Sequence, residues 1–178
     1  MLRKILIGVA VVVAVFMIVV ATRPPTFHIE RSTVISAPPD TVFAQVNDFH
    51  EWLAWSPWEK LDPDLKRIYE GSPAGVGSIY SWEGNSKVGE GRMTITESRP
   101  NELVRFKLDF IKPMQGTSDA EFAFKPEGNQ TVVSWTMSGK QNFAGKAISL
   151  FMDCDKMIGG QFEQGLASIK SIVETGGK

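Results

Sequence analysis

Three short stretches of the chain hold residue types that could do chemistry. Asp48-Phe49-His50-Glu51 brings an imidazole and two carboxylates together, the ingredients of a proton-transfer pair. Neighbours on a helix point in different directions, and no nucleophile or oxyanion donor stands near them. His50 therefore reads as a surface histidine and Asp48 as a helix cap. Cys154 lies between Asp153 and Asp155, a setting that does not favour a thiolate nucleophile, so it reads as an inert or buried residue. It is the only cysteine. An intrachain disulfide is excluded, and Cys154 with His28 and His50 cannot build a four-ligand zinc site. Gly75-Val76-Gly77 lacks the third glycine and the strand-to-helix setting of a phosphate loop. No metal, no cofactor and no catalytic residue are expected, and the balance leans away from an enzyme.

The apolar residues offer more. Trp52, Trp55 and Trp58 recur every third position, with Pro57 between the last two, so they cannot share one regular helix face. They read either as a plug stiffening one end of the domain or as the rim of a pocket, and an indole also suits a lipid–water interface. Alternation in the strand-like runs puts Met93, Ile95, Val104, Phe106, Leu108, Phe110, Phe122, Phe124, Trp135 and Met137 on one face. Such a set can pack as an ordinary core or line an adaptable apolar pocket.

These residues need elements to hold them. Ile5 to Ala21 is free of charge and proline, with twelve Val, Ile, Leu or Phe among 17 residues, which favours the bilayer by roughly 4 to 7 kcal/mol. A cleaved signal peptide is the alternative, but so long an apolar run is more typical of an anchor. Arg3, Lys4 and the amino terminus outweigh Arg23 on the other flank. The expectation is a single-pass helix of the inner (cytoplasmic) membrane with its N-terminus inside and the domain on the extracytoplasmic, periplasmic side. Residues 1–23 form this anchor, 24–26 a proline-rich spacer and 27–175 one domain. The chain carries 19 basic and 20 acidic side chains; without Arg3 and Lys4 the balance is −3, and no basic face is visible, so no nucleic-acid partner is expected.

Phe27 to Ile35 reads as a strand, followed by two short helices, one opened by Ala37-Pro-Pro-Asp40 and one by Asp48 with capping-box spacing. Six further strands are expected: Leu65–Glu70, Val76–Glu83, Val88–Glu97, Leu103–Ile111, Gly116–Lys125 and Thr131–Ser138. Turn residues such as Arg99-Pro-Asn101 and Pro126-Glu-Gly-Asn129 separate them, and short loops make the neighbours antiparallel. A short helical piece over 142–151 leads into a long helix over 152–174, in which Ile158, Phe162, Leu166, Ile169 and Val173 form one stripe. Asp153 and Asp155 suit its start, and Gly176 with Gly177 its end. Gly159, Gly160 and Gly165 cost it roughly 3 kcal/mol in all. The plain explanation is close approach of the helix backbone to the sheet; the other is room for a ligand. The fold class is α+β: a curved antiparallel sheet of seven strands covered by the long C-terminal helix, the one element long enough to close its concave face.

This order of elements resembles the helix-grip fold of the SRPBCC superfamily, which includes START lipid-transfer domains and polyketide cyclases. Ser36-Ala-Pro-Pro-Asp-Thr-Val-Phe43, Trp55-Ser-Pro-Trp58, Gly75-Val-Gly77 leading into Tyr80-Ser-Trp82, and Phe162-Glu-Gln-Gly-Leu166 are similar to its bacterial polyketide-cyclase-like branch. The resemblance implies a cavity between sheet and helix for an apolar small molecule or lipid. Its lining would come from Trp55, Trp58, Tyr80, Trp82, Met93, Phe106, Leu108, Phe110, Phe122, Trp135, Met137, Ile158 and Phe162. It carries over no catalytic residue. The competing readings are a cyclase- or hydrolase-like enzyme, and a tethered protein-interaction module using the segment 52–58.

Overall fold

A computed structural model describes residues 1–176; Gly177, read above as part of the helix stop, lies outside the described residues. Helix α1 (Leu2–Ala21) has 20 residues, about 30 Å of rise. It begins three residues earlier than the charge-free run, because Arg3 and Lys4 are good helix formers with no tertiary contact to oppose them. After Pro24 and Pro25 come β1 (Thr26–Ile35), α2 (Pro39–Asn47), α3 (Trp52–Trp55) and a 3₁₀ turn (Pro57–Lys60). Six strands follow: β2 (Lys66–Gly71), β3 (Ser78–Glu83), β4 (Glu90–Arg99), β5 (Leu103–Lys112), β6 (Gly116–Glu127) and β7 (Gln130–Lys140). The chain then forms α4 (Phe143–Ile148) and α5 (Cys154–Thr175).

All seven strands form one antiparallel sheet in the order β1-β7-β6-β5-β4-β3-β2. Hairpins join the neighbours from β2 to β7, as the turn residues imply. Irregularities in the β4–β5 ladder at Glu90/Gly91 and Ile95/Glu97 bend the sheet there. The faces divide as the alternation requires. Ile95, Val104, Phe106, Phe122, Phe124, Val133 and Trp135 are buried on the concave side. Outside, Arg105 bridges Glu97 and Glu121 across three strands.

Cover for the concave face is shared. Helix α5 buries Phe162, Leu166 and Ile169 and lies most closely along β1, the edge strand. Helix α2 crosses over β5, β6 and β7. The short α3 and the 3₁₀ turn fill the gap between them. The expectation that the long helix alone closes the sheet is thus too simple, since a seven-stranded sheet is wider than the stripe of one helix. Asp48 also plays another part than a capping box. It ends α2, and its carboxylate accepts from the His50 backbone N–H at 2.8 Å, an Asx turn between helices. Asp153 does cap α5, accepting from the Lys156 N–H at 3.0 Å.

Candidate functional site

The Trp-rich segment follows from helix-end chemistry. The last carbonyls of α2 have no intrahelical donors. The Trp52 indole N–H donates to the Val46 carbonyl at 3.0 Å and that of Trp55 to the Gln45 carbonyl at 2.9 Å. Each ring thereby turns under α2 and into the core, where both are fully buried. Trp135 on β7 lies between Phe122, its cross-strand partner, at 4.5 Å and Phe162 of α5 at 4.0 Å. Trp58 meets the Trp135 and Phe162 rings edge-on. One end of the concave space is therefore a solid aromatic plug. The segment 52–58 leaves Leu53, Ala54 and part of Trp58 for a partner.

Two helix glycines answer to this packing. A Cβ on Gly165 would come within 2.8 Å of the Trp135 ring, and one on Gly159 within 2.1 Å of the Arg31 guanidinium. Around Gly160 nothing lies within 4 Å. Close approach explains the first two glycines and leaves the third without a structural cause.

Burial falls away toward the other end. On β5, Val104 and Phe106 are fully buried while Leu108 and Phe110 are half-buried. On β3, Tyr80 is buried and Trp82 half-buried. Ile158, one turn before Phe162 on α5, is half-buried as well. The residues expected to line a cavity thus form two groups. Trp55, Tyr80, Met93, Phe106, Phe122, Trp135, Met137 and Phe162 are buried; Trp58, Trp82, Leu108, Phe110 and Ile158 are partly open. A groove of about 560 Å³ lies at the same end, between the start of β1 (Phe27, His28, Ile29) and the α4–α5 connection (Ser149 to Asp155). Its floor residue Ile29 pairs with Met137 in the sheet.

Sequence reasoning passed over two polar clusters. Arg31 stands at an inward position of β1 and reaches α5, donating to Glu163 at 2.8 Å and Asp155 at 2.9 Å. The bonds to Asp155 and Glu163 raise the Arg31 pKa, and the bond from Arg31 holds the Asp155 carboxyl below its ordinary value. The signal was present: a charged residue at an inward position of β1 needs a partner. The second cluster is Glu59, whose side chain is 7% exposed. It accepts from Arg67 at 2.6 Å and from the Tyr80 hydroxyl at 2.5 Å, tying the 3₁₀ turn to β2 and β3. Burial, and then the bond to Glu59, push the Tyr80 phenol far above its usual range, so it stays a donor. Donor and acceptors are committed to one another, which suits a brace better than a proton relay. His50 stacks on Tyr69 at 4.2 Å and meets Asp48 at 2.7 Å, half-exposed. Two buried polar atoms on the concave face lack hydrogen-bond partners among the described residues, the Tyr69 hydroxyl and the Trp135 indole N–H. No group of three or more metal-ligating side chains occurs among the described residues.

Comparison with known proteins decides the lineage. Residues 26–174 match the family described as "Polyketide cyclase / dehydrase and lipid transport". The chain belongs to that family. It is a member of the SRPBCC superfamily, as its motifs indicate. No curated protein matches it. Solved structures share the fold at low identity. A protein from Chromobacterium violaceum is 18% identical with a TM-score of 0.59, over 85% of this chain and 99% of that one. A protein from Mesorhizobium loti is 16% identical with a TM-score of 0.58, over 84% and 97%. The di-domain ARO/CYC BexL from the BE-7585A biosynthetic pathway is 16% identical with a TM-score of 0.62 over 88% of this chain, which spans 52% of BexL. At such identities these likenesses establish the helix-grip fold of the domain.

Proposed function

We propose that this protein binds an apolar small molecule or lipid at the open end of the space between the sheet and α5, while α1 tethers it to a membrane. The observation that carries the reading is the burial gradient. Trp82, Leu108, Phe110 and Ile158 keep apolar surface partly in water, at a cost of about 25 cal/mol per Å² that a ligand would recover. The groove beside Phe27 and Ile29 has a volume within the range of small-molecule sites. A family description that includes lipid transport agrees with an apolar cargo. For the tether, α1 is of membrane-crossing length and composition, with 6% of its most apolar stretch buried against the protein. Its flanking charges favour an inner-membrane orientation with the domain outside the cytoplasm.

Native mass spectrometry of the full chain, released from nanodiscs, tests the binding. The expected result is a co-purified apolar molecule that is lost in Leu108→Trp, a variant that fills the open end. A chain that carries nothing, in wild type and variant alike, contradicts the proposal.

A further inference from the structure

Where α1 joins the domain, six large apolar side chains stand in water: Ile111, Met114, Phe143, Phe151, Met152 and Met157. Scattered exposed apolar residues are ordinary on a soluble surface, whereas a cluster at one end is not. The strand register brings the β5–β6 loop and the approach to α4 to one level, and the groove beside Phe27 brings Phe151 and Met152 to the same end. Thr26 at the start of β1 pairs with Lys140 at the end of β7, Gly139 pairs with Ser118, and Gly116 with Phe110. The entry from α1, the exit into α4 and the β5–β6 loop therefore share one end of the sheet, the end at which Trp82 and Phe110 lose their cover. Arg23, Lys140 and Lys146 follow α1, end β7 and lie on α4, and none of them has an ion pair among the described residues.

Helix α1 sets the depth. It packs against α4, and the Phe16 ring lies 6.4 Å from that of Phe151, centre to centre. Phe16 precedes Ala21, the last residue of α1, by about 8 Å of helix rise. With 20 residues to cross roughly 30 Å of hydrocarbon, α1 has no length to spare outside it. A bilayer that covers α1 to its last turn also covers Phe151, which is 79% exposed.

Resting on the tether proposed above, we infer that the α4–α5 corner and the β5–β6 loop form a lipid-docking surface. It seats the domain on the bilayer with the open end of its concave space against the acyl boundary, so that an apolar ligand enters and leaves without crossing water.

The test uses the full chain with Cys154→Ser and single cysteines at Val12, Met114, Phe151, Val76 or Glu102. Each carries an environment-sensitive fluorophore and is reconstituted in phosphatidylcholine vesicles with brominated acyl chains. Quenching at Met114 and Phe151 is expected to approach that at Val12 and to exceed that at Val76 and Glu102, on the opposite end, at least threefold. Strong quenching at Val12 with Met114 and Phe151 no higher than Val76 overturns the docking and leaves the tether standing. No quenching at Val12 removes the tether and the docking together. Shielding of Met114 and Phe151 from aqueous iodide without lipid quenching means that protein covers the surface, and also overturns the proposal.

Discussion

The two ends of the concave space are built from the same residue types and come to opposite states. At one, Trp52, Trp55, Phe106, Phe122, Trp135 and Phe162 are fully buried against one another; at the other, Trp82, Leu108, Phe110 and Ile158 are left half-covered. Composition does not separate them. What does is the cover above: α2, α3 and the middle of α5 converge over the first end, while only the first turns of α5 approach the second. An aromatic residue becomes core or potential binding surface according to whether a helix arrives over it.

If that contrast is real, matched truncations must differ. Phe162→Ala removes the partner of Trp135 and is expected to cost about 3 to 5 kcal/mol, lowering the thermal midpoint by roughly 10 °C. Phe110→Ala is expected to cost about 1 kcal/mol, since half of that ring is already in water. Equal shifts in calorimetry would erase the distinction between the ends. Gly165→Ala should cost about 1 to 3 kcal/mol, because the new methyl meets the Trp135 ring. Gly160→Ala, with open space around it, should instead gain up to about 1 kcal/mol. Denaturant midpoints moving in the same direction for both would argue against the helix placement. The smallest effect concerns the Arg31–Asp155 contact. Hydrogen bonding from Arg31 lowers the Asp155 pKa in the folded state, so its stabilisation is complete above the ordinary value of 3.8 and fades as pH falls through the folded value. Urea midpoints should therefore drop more steeply below pH 3.8 in the wild type than in Asp155→Asn, and parallel curves would show that the contact contributes nothing.

Much of this architecture was legible in the chain. Period-two alternation in β4, β5 and β6 named the concave residues correctly, because each strand has one wet face and a register slip would bury charge. The stripe of α5 was readable for the same reason at period 3.6, and residues 162, 166 and 169 are indeed its buried core. The partition of that apolar set into plug and open end was not legible, since it depends on where α2 and α3 cross the sheet. Nor was the work of Trp52 and Trp55, which cap carbonyls six and ten residues earlier in the chain. Glu59, Arg67 and Tyr80 meet only because the 3₁₀ turn folds back over β2 and β3. Arg31 could have been found, as a charge at an inward strand position that finds its counter-ions 124 and 132 residues away.

Helix α5 is fastened to the rest of the domain by polar contacts along one seam. Arg31 holds its first turns; Lys170 donates to the Val34 carbonyl at 2.7 Å, and Glu174 accepts from the Ser36 N–H at 2.6 Å. All of these partners lie on β1 or just after it, and among the described residues no other hydrogen bond ties the helix across the sheet. The assembly is hung like a door from a single jamb. Swelling to accommodate a bulkier guest would swing the free margin of the helix away from β3 and β5 while the hinge side keeps its register.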